Sequence, residues 1–350
     1  TCLVAGDASG SFNTAPSISM GDDGFGVMGI IGLFPGGDEG TSEISNYHQP
    51  IFKMSQDHGR TWGGNPDICG EDGGLYHVPD DVFMDIIENH MPEAYENECT
   101  GEYADLVDFW SYYDFDYKID SEGNIHILMS VVPSDDYYVF WIEGAGWYHF
   151  TIDSAHLDNP GAPQTATGWN WSFVVTGELT WGWASMTGDS YIWDTHGSLA
   201  FSVEDPDVIY VVTNVATEGD FAGDPEMLED PCYFTTWEDY PAWSEDLYVV
   251  KSEDGGQTWW NPLNVSNTPD ETDGVCPNGY PKCDPAEEYP HAAQWATDTD
   301  VYLQYQMPNW AFNEIGDLLG ADFMNRVYIG TAIVDDSDIP EYGTGDSGCY

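Results

Sequence analysis

Positive charge is what this 350-residue chain has least of: six Lys and Arg stand against 63 Asp and Glu, a formal net charge of −57. Lys53, Arg60, Lys118, Lys251, Lys282 and Arg326 cannot assemble a basic stripe that neutralises phosphates, which excludes nucleic-acid binding and attachment to anionic lipid. Long apolar runs are missing as well. No stretch of about 18 apolar residues exists, which excludes a spanning helix and membrane insertion. Residues 1–6 lack the charged and apolar regions of a signal peptide, so the expectation is a mature chain whose leader has been removed. Acidity of this degree would suit a disordered tail, but 41% of residues are apolar and 15% aromatic, enough for a large folded core.

Cysteine is scarce but patterned. Cys276 and Cys283 bracket the turn-rich Pro277-Asn-Gly-Tyr-Pro-Lys282, and Cys69 and Cys99 bracket one acidic insertion, so both pairs are candidate disulfides. Cys2 and Cys349 could join the chain ends, with Cys232 left over. Unpaired buried thiols are the alternative, because spacing does not dictate connectivity. The disulfide reading places the protein in an oxidising setting, secreted or at the cell surface. The spacings do not resemble a zinc site, and no motif for an organic cofactor occurs.

What the chain does have is a repeat. Four-residue acidic turns at 21–24, 120–123, 204–207 and 297–300 are each flanked by short strands of alternating apolar residues, and each unit is followed by a third strand, at 48–54, 137–142, 247–251 and 326–333. The turns start 99, 84 and 93 residues apart, long for one propeller blade, so each blade carries insertions. Two third strands run into the same sequence, S-x-D-x-G-x-T-W: Ser55-Gln-Asp57-His-Gly59-Arg-Thr61-Trp62 and Ser252-Glu-Asp254-Gly-Gly256-Gln-Thr258-Trp259. The Gly supplies positive φ, Ser and Asp bond the turn backbone, and the Trp packs over the sheet, so Ser55, Asp57, Gly59, Trp62, Ser252, Asp254, Gly256 and Trp259 are structural residues.

These two segments resemble the Asp-box (BNR) repeats of sialidase-like β-propellers. The sequence from 142 to 147 resembles a decayed third box, and a fourth is lost near 334–339. The resemblance implies an all-β fold, a propeller of four-stranded antiparallel blades. Four blades are clear and up to six are possible, with 169–176 and 179–185 as strands of a further blade, and the N-terminal 2–5 could close the ring. The expectation is one domain spanning 1–350, with acidic or helical insertions at about 67–108, 216–245 and 266–290. Residues 80–88 read as a short amphipathic helix after Pro79, and 312–325 as a second.

Sialidases of this family grip the substrate carboxylate with three arginines. This chain has two in all, and Arg60 lies inside a box turn, which leaves at most Arg326 for a ligand. Sialidase activity is therefore not expected. With 63 acids, sequence spacing cannot single out the carboxylate pair of a neutral-glycan hydrolase, which is defined by separation in space.

His196 and His291 each open the first strand of a blade, near the axis where propellers bind ligands, though a bond to a neighbouring blade's backbone is the simpler account of both. Trp169 and Trp181 belong to aromatic runs suited to sugar stacking, to subunit contact or to core packing. The acid has two competing explanations: adaptation to high salt, or Ca²⁺ sites, for which Asp270, Asp273, Asp284 and Glu287 form the strongest cluster.

Two readings of function follow. The first is a secreted, non-catalytic propeller that forms homo-oligomers or surface polymers, bridged by divalent cations. The second is a glycan-binding or neutral-glycan-hydrolysing propeller; if an enzyme, a glycoside hydrolase.

Overall fold

The computed structural model describes residues 16–32, 49–64, 76–96, 103–135, 144–153, 156, 166–176, 196–216, 245–266, 282–284, 287–307, 310–312, 318–321 and 326–335. Blade 1 is built from β1 (Ser17–Met20), β2 (Gly26–Gly32), β3 (Gln49–Ser55) and β4 (Tyr76–His77), antiparallel and in chain order. Helix α1 (Asp80–Asn89) and a hairpin of β5 (Ala94–Glu96) and β6 (Tyr103–Asp105) follow. Blade 2 comprises β7 (Asp108–Ile119), β8 (Ile125–Ser134), β9 (Gly146–Ile152) and β10 (Trp169–Thr176). Blade 3 comprises β11 (Gly197–Ser202), β12 (Ile209–Ala216), β13 (Glu245–Ser252) and β14 (Leu263–Asn264).

After β15 (Lys282–Asp284), blade 4 is formed by β16 (Glu288–Ala292), β18 (Asp300–Met307) and β21 (Arg326–Ile333). Between these lie β17 (Trp295–Ala296), which pairs in parallel with β11, and β19 (Trp310–Phe312) with β20 (Leu318–Ala321), which form a side sheet with β15. The protein is a β-propeller, and the four blades among the described residues meet at their first strands: β7 touches both β1 and β11, and β11 touches β16.

Strand periodicity explains the layering. Successive side chains of a strand point to opposite faces, so a blade between two others must be apolar on both. In β8, Ile125, Ile127 and Met129 face blade 1, while Leu128 joins the layer toward blade 3. In β12, Ile209 and Val211 pack toward blade 2, and Tyr210 and Val212 toward blade 4. All ten residues of β8 are accordingly buried. Blade 4 is buried on one face only: Val301 and Leu303 pack inward, while Tyr302, Val327, Ile329 and Ile333 are exposed. Helix α1 caps the first layer with Val82, Phe83, Ile86 and Ile87, and Phe83 stacks on Phe109 with ring centroids 4.0 Å apart.

The S-x-D-x-G-x-T-W turns behave as their composition requires. Ser55 Oγ accepts from Gly59 N (2.9 Å), and the Asp57 carboxylate accepts from the backbone N–H and hydroxyl of Thr61 (2.8 and 2.7 Å). Ser252 and Asp254 repeat these bonds to Gly256 and Thr258, and Gly59 and Gly256 sit at φ 74° and 83°. Those Thr61 bonds hold the Asp57 carboxyl below its ordinary range. Trp259 reaches across to blade 2, donating Nε1–H to Ser172 Oγ (2.9 Å).

Four expectations need correction. Residues 169–176 are not part of a further blade but the outermost strand of blade 2. Gly146 and Trp147 open β9 instead of ending a turn, and Trp147 is wholly buried between blades 2 and 3. The described parts of 312–325 are strand, with β20 paired to β19, so the apolar residues there serve a sheet and not a helix. The third strand of blade 2 is β9, later than the expected 137–142, which along with 2–5 and 179–185 lie outside the described residues.

A buried polar chain ties blade 2 to blade 3. His149 Nδ1 lies 3.3 Å from Gly256 O, His149 Nε2 lies 2.8 Å from His126 Nδ1, and His126 Nε2 lies 3.2 Å from Asp120 Oδ2. A carbonyl only accepts, so His149 donates from Nδ1 and accepts at Nε2, and His126 must donate from Nδ1. The remaining proton bridges His126 Nε2 and Asp120. Burial raises the Asp120 carboxyl, but the bonds from His126 and Asn124 outweigh it and lower it from its ordinary 3.8.

Burial, reinforced by electrostatic repulsion from the adjoining His126, pushes His149 from 6.5 down to about 3. Between those values the unfolded chain takes up a proton that the native state refuses, so stability is lost as pH falls through this window. Replacing His149 with Gln, which keeps a donor for Gly256 but cannot titrate, flattens the stability profile from pH 6.5 to about 4.5 by roughly 2 kcal/mol, measured by urea unfolding against pH.

Candidate functional site

At one end of the axis the first strands leave a cleft of about 320 Å³, whose polar lining includes Ser17, Asp114, Asp116, His196, Tyr289 and His291. Two irregularities aim these residues. Strand β7 slips register against β8 between Ser111 and Phe115, and β16 slips against β18 between Glu288 and His291. Such bulges re-aim side chains and gather next to functional sites. In the second one Tyr289 takes φ +53°, a left-handed conformation costly for a non-glycine residue, and the residue is 40% exposed. That ring lies 4.2 Å from the His196 ring, tilted by 35°.

The two carboxylates of β7 have different tasks. Asp116 is buried: Oδ2 accepts from Ser198 Oγ (2.8 Å) and Leu199 N (3.0 Å) and lies 3.4 Å from Lys118 Nζ, while Oδ1 accepts from Ser17 Oγ (3.2 Å). It thereby binds β1 and β11 to β7. Lys118 also donates to Ala292 O (3.3 Å), and Gln294 Nε2 to Ile119 O (2.8 Å), which bring blade 4 to the same strand. Asp114 accepts at Oδ2 from Gly197 N (2.8 Å) and His196 Nδ1 (3.0 Å), with 29% of its side chain in water. His196 N in turn donates to Asn214 Oδ1 (2.7 Å).

His291 Nδ1 stands 3.3 Å from Ser198 Oγ. Because that hydroxyl gives its hydrogen to Asp116, His291 must donate from Nδ1, and its Nε2 is the basic nitrogen. Loss of hydration and the Lys118 ammonium lower the His291 pKa below 6.5, outweighing Asp116 and Asp114. The cleft therefore presents a carboxylate, a neutral imidazole, and aromatic and proline faces.

The structure brings His196 and His291, far apart in sequence, to this one cleft. Trp169 does not join them: it is 7% exposed and packs edge-on against Phe52, so it belongs to the core. Arg326 opens β21, exposed and outside the cleft lining. Glu287 is fully buried and accepts from Ser266 Oγ (3.2 Å), while Cys283 and Asp284 lie in β15. Trp181, Asp270, Asp273, Cys69, Cys99 and Cys276 lie outside the described residues, among which no three His, Cys, Asp or Glu converge to hold a metal ion. Sequence reasoning missed Asp114, Asp116 and Tyr289. The signal was an Asp-x-Asp pair in a blade's first strand, which places both acids on one strand face near the axis.

No protein-family model and no curated protein matches this chain. Among solved structures it is similar to a levansucrase from Gluconacetobacter diazotrophicus, at 11% identity and TM-score 0.42 over 93% of this chain and 63% of that one. The chain thus spans less than two thirds of that enzyme. The GH93 α-L-arabinofuranosidase of Fusarium graminearum gives 10% and 0.40 over 91% and 62%, and the α-L-arabinofuranosidase PaAbf62A of Podospora anserina 9% and 0.30 over 96% and 95%. Likenesses this remote say nothing of the cleft.

Asp116 is the bond on which the axis turns. Asp116→Ala strips the buried Lys118 of its partner and leaves Ser198 and Leu199 without an acceptor, and costs about 3–5 kcal/mol in urea unfolding.

Proposed function

We propose that the protein is an extracellular saccharide-binding propeller whose ligand lies in the axial cleft. The observation that carries this reading is the strained, exposed Tyr289 ring beside Asp114, His196 and His291 in one cavity of about 320 Å³. An aromatic face takes the apolar side of a sugar ring, while carboxylate and imidazole nitrogen accept from its hydroxyls. Binding is favoured over hydrolysis. Glycoside cleavage needs two poised carboxyl groups, and Asp116 commits both oxygens to Ser17, Ser198, Leu199 and Lys118. Sugars bearing carboxylate or sulfate are disfavoured by the field of 57 net negative charges.

Calorimetric titration with neutral oligosaccharides tests this. Tyr289→Ala and His291→Ala each weaken binding by about tenfold or more without lowering the melting temperature by more than a few degrees. Absence of binding to any neutral oligosaccharide, or binding indifferent to both variants, refutes the reading.

A second reading, self-association as a surface building block, is favoured by the bare face of blade 4, where Val327, Ile329 and Ile333 are 61%, 86% and 68% exposed. Light scattering with and without Ca²⁺ at constant ionic strength then shows large assemblies that Val327→Ser with Ile329→Ser dissolves; a monomer throughout removes this reading.

A further inference from the structure

Asp114 carries a charge that no Lys or Arg answers among the described residues. Its neighbour on the same strand face, Asp116, is matched by Lys118 at 3.4 Å, and that ammonium is further held by Ala292 O. Asp114 has its Oδ2 filled by Gly197 N–H and His196 Nδ1. Its Oδ1 has no protein donor among the described residues, although a carboxylate accepts about four hydrogen bonds and Asp114 lines the cleft. The carboxylate is thus pinned through one oxygen and open through the other. Beside it Tyr289 offers a ring face, which attracts cations as well as sugar C–H groups. The surrounding net charge of −57 concentrates cations at any such opening.

A bare metal ion fits poorly, since no three His, Cys, Asp or Glu side chains converge to hold one among the described residues. From this we infer that the cleft selects saccharides that carry a primary ammonium group, and that Asp114 is the residue that selects them. This inference rests on the saccharide-binding reading above. One sugar ammonium would donate to Asp114 Oδ1 while the ring lies on Tyr289; an N-acetylated sugar loses the charge, and a plain hexose keeps only hydroxyl donors.

The test titrates the whole chain with tetrasaccharides of glucosamine, of N-acetylglucosamine and of glucose, alongside tetralysine. Two variants are compared with the parent, Asp114→Asn and the exposed-turn control Asp22→Asn. Each removes one negative charge, taking the net charge from −57 to −56, so a difference between them reports position and not overall field. The glucosamine tetramer is expected to bind about tenfold or more tightly than the glucose tetramer, the glucose tetramer to displace it, and Asp114→Asn to bring that ratio close to one while Asp22→Asn preserves it.

Equal affinities for the glucosamine and glucose tetramers overturn the inference and leave the saccharide reading standing. Loss of binding to every saccharide overturns both. A preference that survives Asp114→Asn, or that Asp22→Asn removes equally, assigns it to the general field. Tetralysine bound as tightly as glucosamine, and equally sensitive to Asp114→Asn, overturns the choice of a sugar. Should Asp114→Asn fail to melt cooperatively, the ranking and competition of the tetramers on the parent chain decide alone.

Discussion

The hydrogen bonds gathered on Asp116 are the constraint from which the rest of the molecule is organised. The carboxylate takes donors from Ser17 of the first blade and from Ser198 and Leu199 of the third, with Lys118 of its own strand beside it. A buried ion pair is weak evidence for stability, because desolvation offsets most of the attraction. Here its contribution is geometric. It fixes the height at which three first strands cross the axis, and so where His196 and His291 arrive beside Asp114.

Outside the axis, stability comes from the three apolar layers between successive blades. Each inner blade supplies residues to two layers, which accounts for the high apolar and aromatic content of so acidic a chain. Many aromatics that look excessive in sequence are absorbed there: Phe52, Phe109, Phe150 and Trp147 are almost wholly buried. The scarce cations follow the same economy. Lys118 and Lys251 are both buried and paired, Lys251 with Glu253 at 2.7 Å, while Arg60 and Arg326 are exposed. Polar links between layers, such as the Asp120–His126–His149 chain to Gly256, use side chains that titrate, and this couples blade packing to pH.

Much of the fold was legible in advance because its signals are local. The acidic turns carry their own hydrogen-bond acceptors, as Asp120 does for the N–H groups of Glu122 and Asn124, and Gly24 and Gly123 supply positive φ. The S-x-D-x-G-x-T-W segments close on bonds no more than four residues long. Helix α1 announced itself by Pro79, two acids and helical spacing of apolar residues. The failures came where tertiary pairing overrode local pattern: 312–325 has the apolar content of a helix, but its described residues, 312 and 318–321, belong to a sheet with β15, and 169–176 found a place at the edge of blade 2.

The candidate site was legible only in half. Position in a blade pointed to His196 and His291, both expected to open first strands; His196 does directly precede β11, whereas His291 is the fourth of the five residues of β16. Nothing in sequence distance connected them to Asp114 or to each other: Gly197 and Asp114 are 83 residues apart, Ser198 and His291 93. The sequence by itself determined the blade unit, its turns, its two-faced strands and the strongly negative charge, because period, turn chemistry and net charge are local or additive. Only the tertiary structure decided which side chains share the axis, which carboxylate is occupied and which is open, and that Trp169 is core. Those outcomes depend on how strands from different blades converge, on two register slips and on the left-handed turn at Tyr289, none of which a period-two pattern encodes.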